Sequence, residues 1–148
     1  MTQNADNGFA TLSDEIVRQH GRIRGLLEDL QTKATEVCRP GSCVPSCLHA
    51  ALASIVRVLR EHMDFEERAI AEDSIKRGAR SQIDGTQLRE EHVRQREELE
   101  RIVREADSSD DRITLALAIR GFVSDVLLDM SLEEGRLVSM SRDRSDRN

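Results

Sequence analysis

Residues 55–70 read IVRVLREHMDFEERAI and residues 122–137 read FVSDVLLDMSLEEGRL. In both stretches apolar residues return every third or fourth position, Ile55, Leu59 and Ile70 in one, Phe122, Val126 and Leu137 in the other. That spacing predicts a helix with one buried face. Each helix then sets ionisable groups on that face, His62 and Glu66 in the first, Asp129 and Glu133 in the second. A weaker echo relates Ile16, His20 and Leu27 to Leu88, His92 and Leu99, so the chain reads as two similar helical hairpins.

Turn chemistry outside these stretches sets the other boundaries. The first helix is expected from about Asp14, with Ser13 as its cap, to about Val37, where Arg39-Pro40-Gly41 stops it. The second begins near Ser46 and fades near Gly78, and the third starts after Gly85-Thr86. The polar cluster Asp107-Ser108-Ser109-Asp110 ends the third helix and caps the fourth, which runs to about Met140. Short connections between long amphipathic helices predict antiparallel neighbours, hence an all-α, up-down-up-down four-helix bundle. The bundle would span residues 10–140, and the last eight residues, SRDRSDRN (141–148), would form a flexible tail.

Composition agrees and narrows the function. A chain of 148 residues is the length of one domain, and 38% hydrophobic residues against 34% charged ones leave enough apolar surface for a core. With three Phe and no Tyr or Trp, a β-sandwich is disfavoured and no phenolate metal ligand exists. The net charge of −6, with acids and bases mixed along every segment, offers no basic stripe for nucleic acid. The amino terminus lacks a leader pattern, and the one long uncharged stretch, Pro40 to Val56, holds two prolines and a histidine, so no membrane association is expected. Cys38, Cys43 and Cys47 are an odd set unsuited to a secreted disulfide framework, which points to reduced thiols and a cytoplasmic protein. Oligomeric state is left open.

The core stripes carry the chemistry. Helix 1 gives Ile16, His20, Ile23, Leu27 and Leu30, and helix 2 gives Leu52, Ile55, Leu59, His62, Glu66 and Ile70. Helix 3 gives Leu88, His92, Gln95, Leu99 and Ile102, and helix 4 gives Phe122, Val126, Asp129, Glu133 and Leu137. Three imidazoles and three carboxylates facing a dry interior would each cost several kcal/mol unpaired. No Lys or Arg shares these stripes, so bound metal is the economical compensation. The three carboxylates contribute −3, two ferrous ions contribute +4, and one bridging hydroxide closes the balance, which favours a dinuclear site.

Spacing agrees, since residues four apart share a helix face. His62 with Glu66, and Asp129 with Glu133, can each present a terminal ligand and a bridging carboxylate. His20 and His62 lie at similar distances from their loop and should face each other. His92 follows soon after Gly85, so its alignment requires helix 2 to overshoot helix 3. An oxygen and imidazole set without thiolate suits iron first, with manganese or zinc as alternative occupants.

These residues resemble the haemerythrin-like, HHE cation-binding domains. The resemblance rests on His62-x-x-x-Glu66, the single histidines in helices 1 and 3, and the Glu133-Glu134 pair, and it covers about residues 10 to 140. It implies a di-iron centre with an oxo or hydroxo bridge, in which His20, His62, His92 and residue 129 are terminal ligands while Glu66 and Glu133 bridge. The family usually has histidine where this chain has Asp129, and oxygen carriers use five histidine ligands where this chain has four histidines in all. The resemblance therefore implies a protein that binds or reacts with dioxygen, peroxide or nitric oxide, or senses iron or redox state, as in bacterial members implicated in iron–sulfur repair and nitric oxide or peroxide responses. Whether such a site would be catalytic or sensory is left open. A ferritin-type site would need Glu three residues before its histidines; Val17, Leu59 and Arg89 stand there.

Other readings stay beside this one. Asp125, or water, could take the place of Asp129. Glu67 and Glu134 turn about 100° from their neighbours and are expected at the solvent or around the ligands rather than among them, as are Glu61 and Glu91. His49 reads as a surface histidine, or as part of a loop site with Cys38, Cys43 and Cys47. The alternative function is a helical redox-sensor or interaction module acting through that loop with a structural metal. Cys47, beside a helix N-terminus, would be its reactive thiol and Cys43 its disulfide partner.

Overall fold

The computed structural model describes the backbone of residues 3–39, 45–77, 85–108 and 111–145. Within them lie α1 (Gln3–Val37), α2 (Pro45–Arg77), α3 (Gly85–Ser108) and α4 (Arg112–Ser145). Helix α1 packs on α2 and α4, and α3 packs on the same two, with no diagonal contact among the described residues. This closed ring is the arrangement of a four-helix bundle. Across α2 and α3, His49 meets Asp107, Arg60 meets Glu100 and Asp64 meets Arg96, so residue numbers rise along one helix as they fall along the other. No helix among the described residues is long and apolar enough to cross a membrane.

Three boundaries differ from expectation. Helix α1 begins at Gln3, so Ser13 lies inside the helix instead of capping it. No proline interrupts residues 3–13, and the helix simply continues through them. Helix α4 is capped by Asp111, one residue beyond the expected cluster: its Oδ1 accepts the Thr114 backbone N–H at 3.0 Å and its Oδ2 the Thr114 hydroxyl at 2.7 Å. Helix α4 also runs on to Ser145, because neither glycine nor proline stands in SRDRS to stop it.

The overshoot that His92 requires is present. A Cβ placed on Gly85 would come 3.2 Å from Cγ2 of Ile70, so α3 starts level with Ile70 while α2 continues to Arg77. The extra length of α2 brings Glu66 level with His92.

Two apolar layers enclose the ionisable groups. The larger begins at Ile23 on α1 and includes Leu27, Leu30, Ile55, Leu59, Ile102, Ile119 and Val126. Each large aliphatic side chain fully buried there contributes roughly 1.5–3 kcal/mol. On the other side, one turn before His20 and one turn after Glu133, Ile16 and Leu137 form a small cluster with Leu12 and Phe65 packed against it.

Candidate metal centre

The four helices deliver five of the six expected ligands to one place. His20, His62, Glu66 and Glu133 offer ligand atoms that all lie within 4.8 Å of one another. His92 joins them through its Nε2, 3.3 Å from Glu66 Oε2. Glu66 spans the group: Oε1 faces His62 Nε2 at 3.4 Å and His20 Nε2 at 3.7 Å, while Oε2 faces His92. Glu133 Oε2 lies 3.3 Å from His20 Nε2. His20, His62, Glu66 and His92 are all buried.

His20, His62 and His92 each turn Nε2 inward because Nδ1 is held from outside. His20 Nδ1 donates to Glu134 Oε1 at 2.9 Å, and the same oxygen takes Arg24 Nη1 at 2.9 Å. His92 Nδ1 donates to Glu67 Oε1 at 2.9 Å, which Arg96 Nη2 also reaches at 3.0 Å. His62 Nδ1 donates instead to a neutral partner, Gln19 Oε1, at 2.9 Å. Fixing one ring nitrogen by an outer partner orients the other towards a cation.

The hairpin echo extends to these supports. In each half an arginine stands four residues after the histidine, Arg24 after His20 and Arg96 after His92. Each arginine grips, in the opposite half, the glutamate that follows the inward one, Arg24 taking Glu134 after Glu133 and Arg96 taking Glu67 after Glu66. The sequence left Glu67 and Glu134 either at the solvent or around the ligands, and the structure sets both around them; Arg24, Arg96 and Gln19 were missed. The repeated His-x-x-x-Arg and Glu-Glu pairs were the available signal for the arginines.

Asp129 stands apart from the compact group. It is half-buried, and its Oδ2 accepts Gln95 Nε2 at 2.7 Å. Asp125, its alternative, is exposed. Glu61 is exposed beside Arg57, and Glu91 accepts from Gln87. The cysteine loop assembles no cluster among the described residues. Cys38 and Cys47 are exposed and unlinked, Cys38 Sγ donates to the Ala34 carbonyl at 3.5 Å, and His49 Nε2 pairs with Asp107 at 3.0 Å. Cys43 lies outside the described residues.

The electrostatics are those of a crowded buried cluster. Burial opposes charge on His20, but Glu133, Glu66 and Glu134 overcome it and raise its pKa to about 9. Burial, with His20 and His92 nearby, lowers His62 to about 4 against the pull of Glu66. His92 is raised by Glu66 and Glu67 despite its burial. Burial would raise Glu66, but the imidazoles of His20 and His92 beside it hold it at about 2. Glu133 is pushed up by burial and by Glu66, with His20 pulling the other way.

A cation fits this donor set. Glu66 Oε2 is buried and receives no hydrogen bond. The Nε2 atoms of His20 and His62 face each other at 3.2 Å, two lone pairs with at most one proton to share. Buried polar atoms left in this state are expensive unless something else meets them. Residues 11–141 match the family model of the Hemerythrin HHE cation binding domain.

The chain belongs to this family. No curated protein and no solved structure gives a significant match to it. Membership makes this HHE domain a cation-binding bundle, and the His/Glu group at its centre is where a metal could be held.

Proposed function

We propose that this HHE domain holds two iron ions between His20, His62, His92, Asp129, Glu66 and Glu133, and that the loaded centre binds or reduces a small oxidant such as dioxygen, peroxide or nitric oxide. The observation that carries the reading is the buried Glu66 carboxylate, whose two oxygens face different imidazoles while Oε2 lacks any hydrogen bond. A carboxylate so placed suits a bridge between two cations. Asp129 is included because the echo sets it opposite His62 in the pattern, and both are supported by a glutamine amide, Gln95 and Gln19.

Iron, when bound, supplies the electrons for reducing such an oxidant. The chain's own residues do the rest. Glu134 with Arg24, and Glu67 with Arg96, hold His20 and His92 with Nδ1 protonated and Nε2 inward. Gln19 does the same for His62 without adding charge. Apolar layers on both sides would limit the access of water to the centre. A cytoplasmic setting accords with the exposed, unlinked Cys38 and Cys47.

Metal analysis with absorption spectroscopy tests the proposal. Protein grown with ample iron should carry two irons per chain and absorb in the near ultraviolet, where the absence of Tyr and Trp leaves a clear window. The band should change when peroxide or nitric oxide is added to the reduced protein. Metal-free protein from iron-rich growth overturns the reading.

A further inference from the structure

Helix α4 is apolar on two opposite faces. One packs in the core through residues such as Leu115, Ile119, Phe122 and Val126. The other faces solvent with Ile113 at 67%, Leu117 at 62%, Leu128 at 59% and Leu132 at 51% exposure. With Gly121 and Ser124 between them, these residues advance by four, four, three, four and four, an eleven-residue period that keeps a stripe nearly straight along a helix. At about 100° per residue the stripe points away from the core face by roughly 180°, and it runs for about 28 Å. Two exposed apolar pairs on one line, joined through the small residues Gly121 and Ser124, mark an interaction surface.

The flanking charges identify the occupant. Arg120 and Asp125 are both exposed, and neither forms an ion pair among the described residues. They flank the stripe on opposite sides, each about 70° from its midline by the same helical geometry. In a parallel pair of α4 helices related by a two-fold axis along them, the Arg120 flank faces the partner's Asp125, about 7.5 Å farther along the axis. Long side chains span that stagger, and such flanking pairs set partner and orientation in two-helix seams. An antiparallel pair would bring like flanks together, arginine against arginine and aspartate against aspartate. In the parallel pair Gly121 and Ser124 also meet their own copies, which lets the two helices approach closely at mid-seam.

We propose that two copies of this chain associate through the outer face of α4, as a parallel pair sealed by Leu117 and Leu128 and bridged twice by Arg120 and Asp125. A seam one helix wide falls short of the ~800 Å² per partner of a standard interface, so the dimer depends on concentration. The association is independent of the metal, since none of these residues lies at the centre.

Sedimentation velocity over a range of concentrations tests it on the full chain, with circular dichroism as the control for folding. The wild type should pass from monomer to dimer. L117E/L128E should weaken the dimer at least about a hundredfold, because two apolar contacts become opposed charges. R120D and D125R should each weaken it about tenfold, and R120D/D125R should return it to near the wild-type value. A wild type that stays monomeric at every concentration overturns the proposal. So does a dimer indifferent to L117E/L128E, or a double exchange no tighter than the single ones. The exchanges alone decide the matter if L117E/L128E does not fold.

Discussion

His20 and His62 meet with their Nε2 atoms 3.2 Å apart, so a proton between them belongs to one ring at a time. The surroundings choose the owner. Burial opposes charge on both, but three glutamates raise His20 to about 9, while burial with two neighbouring histidines lowers His62 to about 4. In metal-free protein at neutral pH, His20 carries the proton and His62 accepts it.

This division gives metal-free stability a pH signature. A histidine raised from 6.5 to about 9 on folding adds stability that is complete below 6.5 and lost as pH rises through about 9. His62, lowered to about 4, contributes nothing above 6.5 and costs stability increasingly as pH falls from 6.5 towards 4, because the unfolded chain takes up the proton first. Glu66, lowered to about 2, adds a part that persists above 4.5 and is lost as pH falls through about 2. Urea midpoints measured in chelator should therefore fall on both sides of neutrality, and His20→Gln should flatten the alkaline limb. Metal affinity should rise with pH over that limb, since binding displaces the His20 proton. An alkaline limb unchanged by His20→Gln contradicts this.

Glu66→Ala removes the carboxylate that spans the imidazoles. Metal content should fall towards zero, and the rise in melting temperature on adding ferrous iron should vanish with it. Glu133→Ala should behave alike. Chelator-resistant metal in either variant, by elemental analysis, would show that the ligands lie elsewhere.

Arg24→Ala and Glu134→Gln act on His20 from outside. Each should weaken metal binding by about 10–100-fold, the usual effect of losing an outer partner. Circular dichroism should be unchanged, because Arg24 and Glu134 both lie partly at the surface. Competition with a chelator reads the difference, and Arg96→Ala should match Arg24→Ala through His92.

Asp129→His exchanges the carboxylate held by Gln95 for the residue the family usually has there. The absorption of the iron-loaded protein should shift, and Gln95→Ala should shift it less by freeing Asp129 Oδ2. Identical spectra for wild type and Asp129→His would leave Asp129 as a partner of Gln95 alone.

Ser13→Ala should stabilise the protein. The Ser13 hydroxyl is buried without a hydrogen-bond partner inside α1. Removing it relieves that cost and improves helix propensity, together worth about 1 kcal/mol. Thermal or urea unfolding measures it.

What the sequence revealed and what it withheld have separate physical origins. Periodicity exposes a buried face, so the four helices and the inward positions of His20, His62, Glu66, His92 and Glu133 were legible. Side chains at the edge of a face leave no such mark. Arg24, Arg96 and Gln19 sit at flanking positions that look like ordinary solvated charge and amide until a third dimension sets them beside an imidazole. Ser13 misled because a good capping residue within a long helix looks the same as one at its start. The overshoot of α2 was inferred only from the mismatch at His92, and the contact of Gly85 with Ile70 supplies its cause.

The cluster of Ile16, Leu137, Leu12 and Phe65 is the thinner of the two layers over the centre. Moving an ion through a film of hydrocarbon side chains forfeits its hydration, whereas an uncharged diatomic has little hydration to lose. A film of this kind would slow ions more than uncharged diatomics, so nitric oxide or dioxygen would cross it more readily than superoxide or nitrite. Polar substitution at Leu137 would abolish that discrimination by opening a wet path for anions.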